Sequence, residues 1–294
     1  MPVNPLFSAI QANTFFNSDQ LTSAAALVSN QARPMRAVAM AADGSFAITW
    51  SSKGQDGGGA EWGAYVRFFG SDGTPTSAET RVNLATPQNQ STTSIALLQN
   101  GNYIVTWSDD NEAAPDTSLS GVQARIYKAD GTAVSGELQI NQATDGDQYN
   151  SAIATSANGR FVVTWVSNND SIDTTGDAVL ARVFNSDGTP FGSEFLVNST
   201  TASNQLKPSV AMADDGSFVV VWESQGQDGE GAGVYGQRYT AAGAPQGLEF
   251  QINQITAKDQ KTASVAMAAN GSFVVTWTSN EGGAYGNEIY ARRY

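Results

Sequence analysis

Residues Asp215-Gly216-Ser217-Phe218-Val219-Val220-Val221-Trp222 spell DGSFVVVW, and the chain repeats this segment with small changes four more times. The other copies are DGSFAITW ending at Trp50, NGNYIVTW at Trp107, NGRFVVTW at Trp165 and NGSFVVTW at Trp277. In each, an aromatic residue, a β-branched residue and the tryptophan alternate with Val or Thr, the period of a strand that gathers its largest side chains on one face. A long, fixed period of this kind marks a repeat architecture.

Outward from this segment each copy resolves into four short strands. In the fourth copy these are Ser209 to Ala213 (a), Phe218 to Trp222 (b), Val234 to Tyr239 (c) and Glu249 to Asn253 (d). The a–b link carries Asp43-Gly44, Asn100-Gly101, Asn158-Gly159, Asp215-Gly216 and Asn270-Gly271. Asx-Gly predicts a two-residue type I′ hairpin with both central residues at positive φ. The c–d link has its own turns at Asp72-Gly73, Asp130-Gly131 and Asp187-Gly188, weakened to Ala242-Gly243 in the fourth copy. Antiparallel strands without a helical pattern predict an all-β fold, a five-bladed β-propeller whose sheets bury both faces against their neighbours. A solenoid would leave two open ends. The last copy stops at Tyr294, the end of its strand c, and Asn13 to Asn17 (NTFFN) resembles the strand d Glu194 to Asn198. The expectation is that residues 13–17 pair with strand c near Arg292 and close the ring. Residues 1–12 are then an extension and 13–294 one domain.

Composition narrows the function. The 294 residues are 40% hydrophobic, enough for a large core, with a formal charge of −13 and a pI of about 4.3. So acidic a surface repels phosphate backbones and anionic head groups, which argues against nucleic acid and membrane surfaces as partners. No apolar run is long enough to span a bilayer. With neither Cys nor His, disulfides, thiolate sites, the Ser–His dyad and most transition-metal sites are excluded. Met1 to Phe16 has no basic region and no continuous apolar stretch, so it does not read as a secretory signal.

Most repeated residues read as structural. Trp50, Trp107, Trp165, Trp222 and Trp277 occupy one strand position and belong to inter-blade packing. Strand a is small and apolar, as at the crowded centre of a ring. Strand c carries Arg67, Arg125, Arg182, Arg238 and Arg292, and strand d carries Glu79, Glu137, Glu194 and Glu249. The expectation is an Arg–Glu pair within each complete blade. Glycan hydrolysis needs two carboxylates about 5–10 Å apart. The innermost strands show no Asp or Glu, so the sequence predicts no enzyme.

The copies diverge in the b–c loops and d–a connectors, which share one face. These segments are rich in Asp, Asn, Gln and Gly, and variable loops are where function sits on a repeat scaffold. Oxygen-rich loops suit Ca²⁺ or sugar hydroxyls. The candidate ligands are Asp109, Asp110 and Asp116 of the second copy, Asp170, Asp173 and Asp177 of the third, and Asp145 and Asp147 on the connector between them. No loop has the full EF-hand pattern, and no other cofactor is expected.

The run Trp222-Glu223-Ser224-Gln225-Gly226-Gln227-Asp228-Gly229, with Gly233 to Tyr239 and Glu249 to Asn253, resembles a repeat of large secreted bacterial and cyanobacterial surface proteins of the hemolysin-type calcium-binding or adhesin-like kind. The resemblance covers about residues 13–294 and implies a non-catalytic module exported without an N-terminal signal. The calcium-binding nonapeptide GGxGxDxUx of that class is absent, so calcium binding and export route do not carry over. The leading expectation is an extracellular structural or adhesive module whose partner is a surface protein or a glycan, with self-association left open. The alternatives are a lectin-like glycan-binding propeller and, third, a carboxylate-based glycan hydrolase.

Overall fold

The computed structural model describes residues 9–15, 19–22, 36–56, 61–85, 88–110, 119–168, 173, 175–283 and 286–294. Among them there is no helix, and the strands fall into five antiparallel sheets. The first holds β1 (Gln20–Leu21), β2 (Val38–Met40), β3 (Phe46–Lys53), β4 (Trp62–Phe69) and β5 (Thr80–Arg81); β1 and β2 are two pieces of strand a, both paired with β3. The second holds β6 (Gln90–Leu97), β7 (Tyr103–Asp109), β8 (Gly121–Tyr127) and β9 (Leu138–Gln139). The third holds β10 (Asp147–Thr155), β11 (Arg160–Asn168), β12 (Asp177–Asn185) and β13 (Phe195–Leu196). The fourth holds β14 (Gln205–Met212), β15 (Phe218–Gln225), β16 (Ala232–Tyr239) and β17 (Phe250–Gln251). The fifth holds β18 (Gln260–Met267), β19 (Phe273–Gly283) and β20 (Gly286–Arg293).

Four of the tryptophans pack on the preceding blade. Trp165 lies among Val122, Ala124, Ile126 and Ile140, and Trp222 among Val179, Ala181, Val183 and Val197. Trp107 sits against Ala64, Val66 and Val82, and Trp277 against Val234 and Ile252. Residues from all five strand a segments, Arg36, Ser94, Ser151, Ser209 and Ser264 among them, line a central cavity of about 220 Å³.

The a–b turns differ from the type I′ expectation. Only the glycine is left-handed, as at Gly44 (φ 87°) and Gly216 (φ 88°). Gly44 N donates to Ala41 O, Ala41 N to Ser45 O, and Ser45 N to the Asp43 carboxylate. This is a three-residue loop, a type I turn followed by a glycine bulge. The Asx side chain caps the amide two residues on, and so holds its own residue at negative φ.

The expected Arg–Glu pairs are not made; both residues tie neighbouring blades instead. Arg125 Nη1 donates to Val82 O (3.2 Å) and Arg182 Nη1 to Ile140 O (3.1 Å), each on the preceding strand d. Glu137 accepts from Leu84 N, Glu194 from Gln142 N, and Glu249 from Ser199 N. In the fourth copy the equivalent of the arginine is Gln237, opposite Val220 as Arg182 is opposite Val163. Arg238 lies one residue on, and a one-residue shift along a strand points it to the other, exposed face.

A second repeated tie went unread in the sequence: an Asn at the end of strand d and a Gln seven residues later. Asn83 accepts from Ala64 N and donates to Ala85 O and Gln90 Oε1. Asn141, Asn198 and Asn253 do the same with Gln148, Gln205 and Gln260.

Among the described residues the fifth sheet has three strands, so the expected pairing of residues 13–17 with strand c near Arg292 is not made. Residues 16 and 17 lie outside the described residues. The strand d signature falls four residues earlier. Asn13 Nδ2 donates to Phe15 O as Asn83 does to Ala85 O. Arg67 donates to Ala12 O (2.9 Å), and Thr14 N to Glu79.

Candidate functional site at the channel mouth

The inner strands reach the loop face through a β-bulge two residues after each glutamine. Register slips between Ser91 and Ser94, Tyr149 and Ala152, Leu206 and Ser209, and Lys261 and Ser264. The residue at the slip is left-handed in each: Thr92 (φ 54°), Asn150 (58°), Lys207 (52°) and Thr262 (57°). Positive φ costs a residue with a side chain about 1–3 kcal/mol and gathers at functional sites. Each of these residues stands within two positions of one that lines the central cavity, so the bulges form its rim on the loop side.

Across this rim, in the second and fourth blades, the residue after the tryptophan reaches both its own bulge and that of the next blade. Ser108 Oγ lies 2.6 Å from Thr92 Oγ1 and accepts from Asn150 N at 3.0 Å. In the fourth blade a carboxylate takes this place. Glu223 accepts from Thr262 N at 2.5 Å and pairs with Lys207 Nζ at 3.3 Å, their side chains only 4% and 13% exposed. The equivalents of Glu223 are Ser51, Ser108, Val166 and Thr278, and those of Lys207 are Thr92, Asn150 and Thr262. The two charges therefore enter together, in one copy, at positions otherwise neutral. That paired departure was visible in the sequence and was not weighed. The absence of acids from the innermost strands does not hold either, because β10 begins at Asp147.

The predicted metal ligands do not converge. Asp109 accepts from Gln90 Nε2 (3.2 Å). Asp110 accepts from Asn89 Nδ2 (3.3 Å), and burial, with Asp147 nearby adding to it, raises its pKa. Asp147 takes Ser120 Oγ (2.9 Å), and the Asp145 carbonyl takes Gln148 Nε2. Asp173 caps Thr175, while Asp177 accepts from Asn168 (2.7 Å) and the Tyr149 hydroxyl (3.1 Å). Asp116 and Asp170 lie outside the described residues. Among the described residues no group of three acids could hold a metal ion.

Five sheets around one cavity define the class, a five-bladed propeller arrangement. No family model and no curated protein matches the chain. Solved structures do. A protein of unknown function from Dyadobacter fermentans has a TM-score of 0.58 at 11% identity, over 87% of this chain and 74% of that one. The α-L-arabinofuranosidase Arb93A of Fusarium graminearum with an iminosugar inhibitor gives 0.55 at 15%, over 91% and 78%. The GH93 α-L-arabinofuranosidase of Fusarium graminearum with arabinobiose gives 0.55 at 16%, with the same coverage. At these identities the likeness is one of fold. It nonetheless overturns the expectation of a non-catalytic, adhesive, calcium-binding module, because the architecture is shared with glycan hydrolases that bind sugars.

Proposed function

We propose that this chain is a carboxylate-based glycan hydrolase working at the loop-side mouth of the central channel, with Glu223 as the fixed carboxylate. The observation that carries this reading is the buried Glu223–Lys207 pair, held by strained backbone at the rim of a propeller cavity. Acid–base cleavage takes a second carboxyl about 5–10 Å away. Asp109 and Asp147, at the loop ends of β7 and β10, are the acids from which it is drawn. Lys207 Nζ and Thr262 N fix the position of the Glu223 carboxylate, and the threonine and asparagine of the rim offer hydrogen bonds to sugar hydroxyls. Furanosides and short arabino-oligosaccharides such as arabinobiose are the first substrates to test, and an extracellular setting is part of the same proposal, supported by the resemblance to secreted surface proteins. The experiment is sugar release from a panel of arabinan, xylan and aryl glycosides by the wild type, E223Q, D109N and D147N. Loss of turnover in E223Q and in one aspartate variant supports the reading. A folded wild type that cleaves nothing on the panel refutes it.

The same reading includes a closed ring. Residues 9–13, not 13–17, supply the fourth strand of the fifth blade. Asn13 and Gln20 keep the seven-residue spacing of the other four Asn–Gln ties, and Arg67 and Glu79 already grip Ala12 and Thr14. Ile289 is then covered by Trp50 as Val234 is by Trp277.

A further inference from the structure

Four blades fill the outer groove between neighbours with a guanidinium. Arg67, Arg125 and Arg182 donate through Nε to a carbonyl ten residues on, at Ser77, Ser135 and Gly192. These three and Arg292 reach the preceding strand d through Nη1, at Ala12, Val82, Ile140 and Ile252. Each also lies 5.3–5.6 Å from the ring two residues on: Phe69, Tyr127, Phe184 and Tyr294. In the fourth blade Gln237 keeps the first bond, from Nε2 to Gly247 O at 3.2 Å, but is too short for the rest. Among the described residues no cation stands over Tyr239, the ring two residues after Gln237. A groove of about 550 Å³ opens there, lined by Gln237, Tyr239, Gln227, Glu249, Ser199 and Leu248.

What remains around this space suits the missing group. Glu249 supplies a carboxylate, already positioned by Ser199 N (2.6 Å) and Gln227 Nε2 (2.5 Å). Gln227 Oε1 is buried with no donor, as Gln55 Oε1 is in the first blade, so the Gln–Glu pair itself is common to both and only the guanidinium is missing from the fourth. The Tyr239 ring, stacked on Phe218 at 4.9 Å between centroids, forms part of the groove wall, and an aromatic face attracts a cation. Burial and the Glu249 charge both raise the Tyr239 hydroxyl, and no arginine offsets them as Arg125 does for Tyr127.

We propose that this groove is a binding site for a guanidinium group carried by another molecule, an alkylguanidine or an arginine side chain, seated where the other blades place their own arginine. It is separate from the channel mouth and does not depend on hydrolysis there. The test is calorimetric titration of the full chain with agmatine and with N-acetyl-argininamide, and with N-acetyl-lysinamide as the ammonium control. One saturable site is expected, with the ammonium at least about tenfold weaker because it cannot form the planar fork. Tighter binding of argininamide than of agmatine marks a peptide ligand; equal binding marks recognition of the guanidinium alone. Q237R supplies the group from within, in a setting that four blades already tolerate, and should weaken binding at least about tenfold. No saturable binding of either guanidine up to about 10 mM, or undiminished binding in Q237R, overturns the proposal.

Discussion

Ile289 is 74% exposed in the structure, whereas its counterpart Val234 in the preceding blade is fully buried. A closed ring removes that difference by laying Trp50 over Ile289. Ile289→Ala then deletes three buried carbons and leaves a cavity, which costs about 2–4 kcal/mol for a core position. In a chain of this size each kcal/mol moves Tm by roughly 2 °C, so a fall of about 4–8 °C is expected. Val234→Ala sets the scale for a buried site and Leu248→Ala, at 88% exposure, for an open one. Urea titration of the three variants, with m checked for constancy, gives the comparison. If Ile289→Ala behaves like Leu248→Ala, within about 0.5 kcal/mol, the fifth and first blades do not pack and the ring argument fails. If it behaves like Val234→Ala, residues 9–13 have closed the sheet.

Three further outcomes are expected. Lys207→Met leaves Glu223 buried without its cation and should cost about 3–5 kcal/mol, while a Lys207→Met/Glu223→Leu double variant should recover most of that loss; urea midpoints check both. Asn198→Ala strips a buried tie that serves Val179 N, Thr200 O and Gln205, and should cost about 2–4 kcal/mol by the same assay. For pH, the turn aspartates Asp43, Asp72, Asp130, Asp187 and Asp215 have pKa values lowered by the Ser or Thr two residues on. Their contribution is full above the ordinary carboxylate pKa and is lost as pH falls through the lowered one. Tyr65, Tyr127 and Tyr235 are pushed up to about 12, chiefly by burial, so their contribution is full below about pH 10 and is lost as pH rises from there through about 12. Stability measured against pH should therefore be flat through neutrality, where no histidine titrates, and fall at both ends. A step between pH 6 and 7 would contradict this.

The repeat was legible because the Asx-Gly turn and the alternating strand before each tryptophan are local patterns, and the structure places all five in equivalent sheets. Details that depend on a neighbouring blade were not. NTFFN looks like a strand on its own, but Asn13, its first residue, repeats the bond that Asn83 makes to Ala85 O, and its spacing to Gln20 is readable as a rule only once Asn83 and Gln90 are seen to touch. Arg and Glu on adjacent strands suggest a pair within the blade; their long side chains instead reach the backbone of the blade before. The one-residue offset of Arg238 hid the missing guanidinium, though counting back two residues from each strand c aromatic would have placed Gln237 there. Glu223 reads from the sequence as the first residue of the loop after Trp222, whereas it sits inside β15, in a strand position that is neutral in every other copy.

The measurement that tests the central claim most directly is amide chemical-shift mapping of the isotopically labelled chain titrated with arabinobiose. Saturable shifts centred on Asn150, Lys207 and Thr262, and lost in a folded E223Q/K207M variant, are the predicted result. Shifts confined to the outer rim, or none at all while the wild type stays folded, would contradict the assignment of the channel mouth as the site of glycan chemistry.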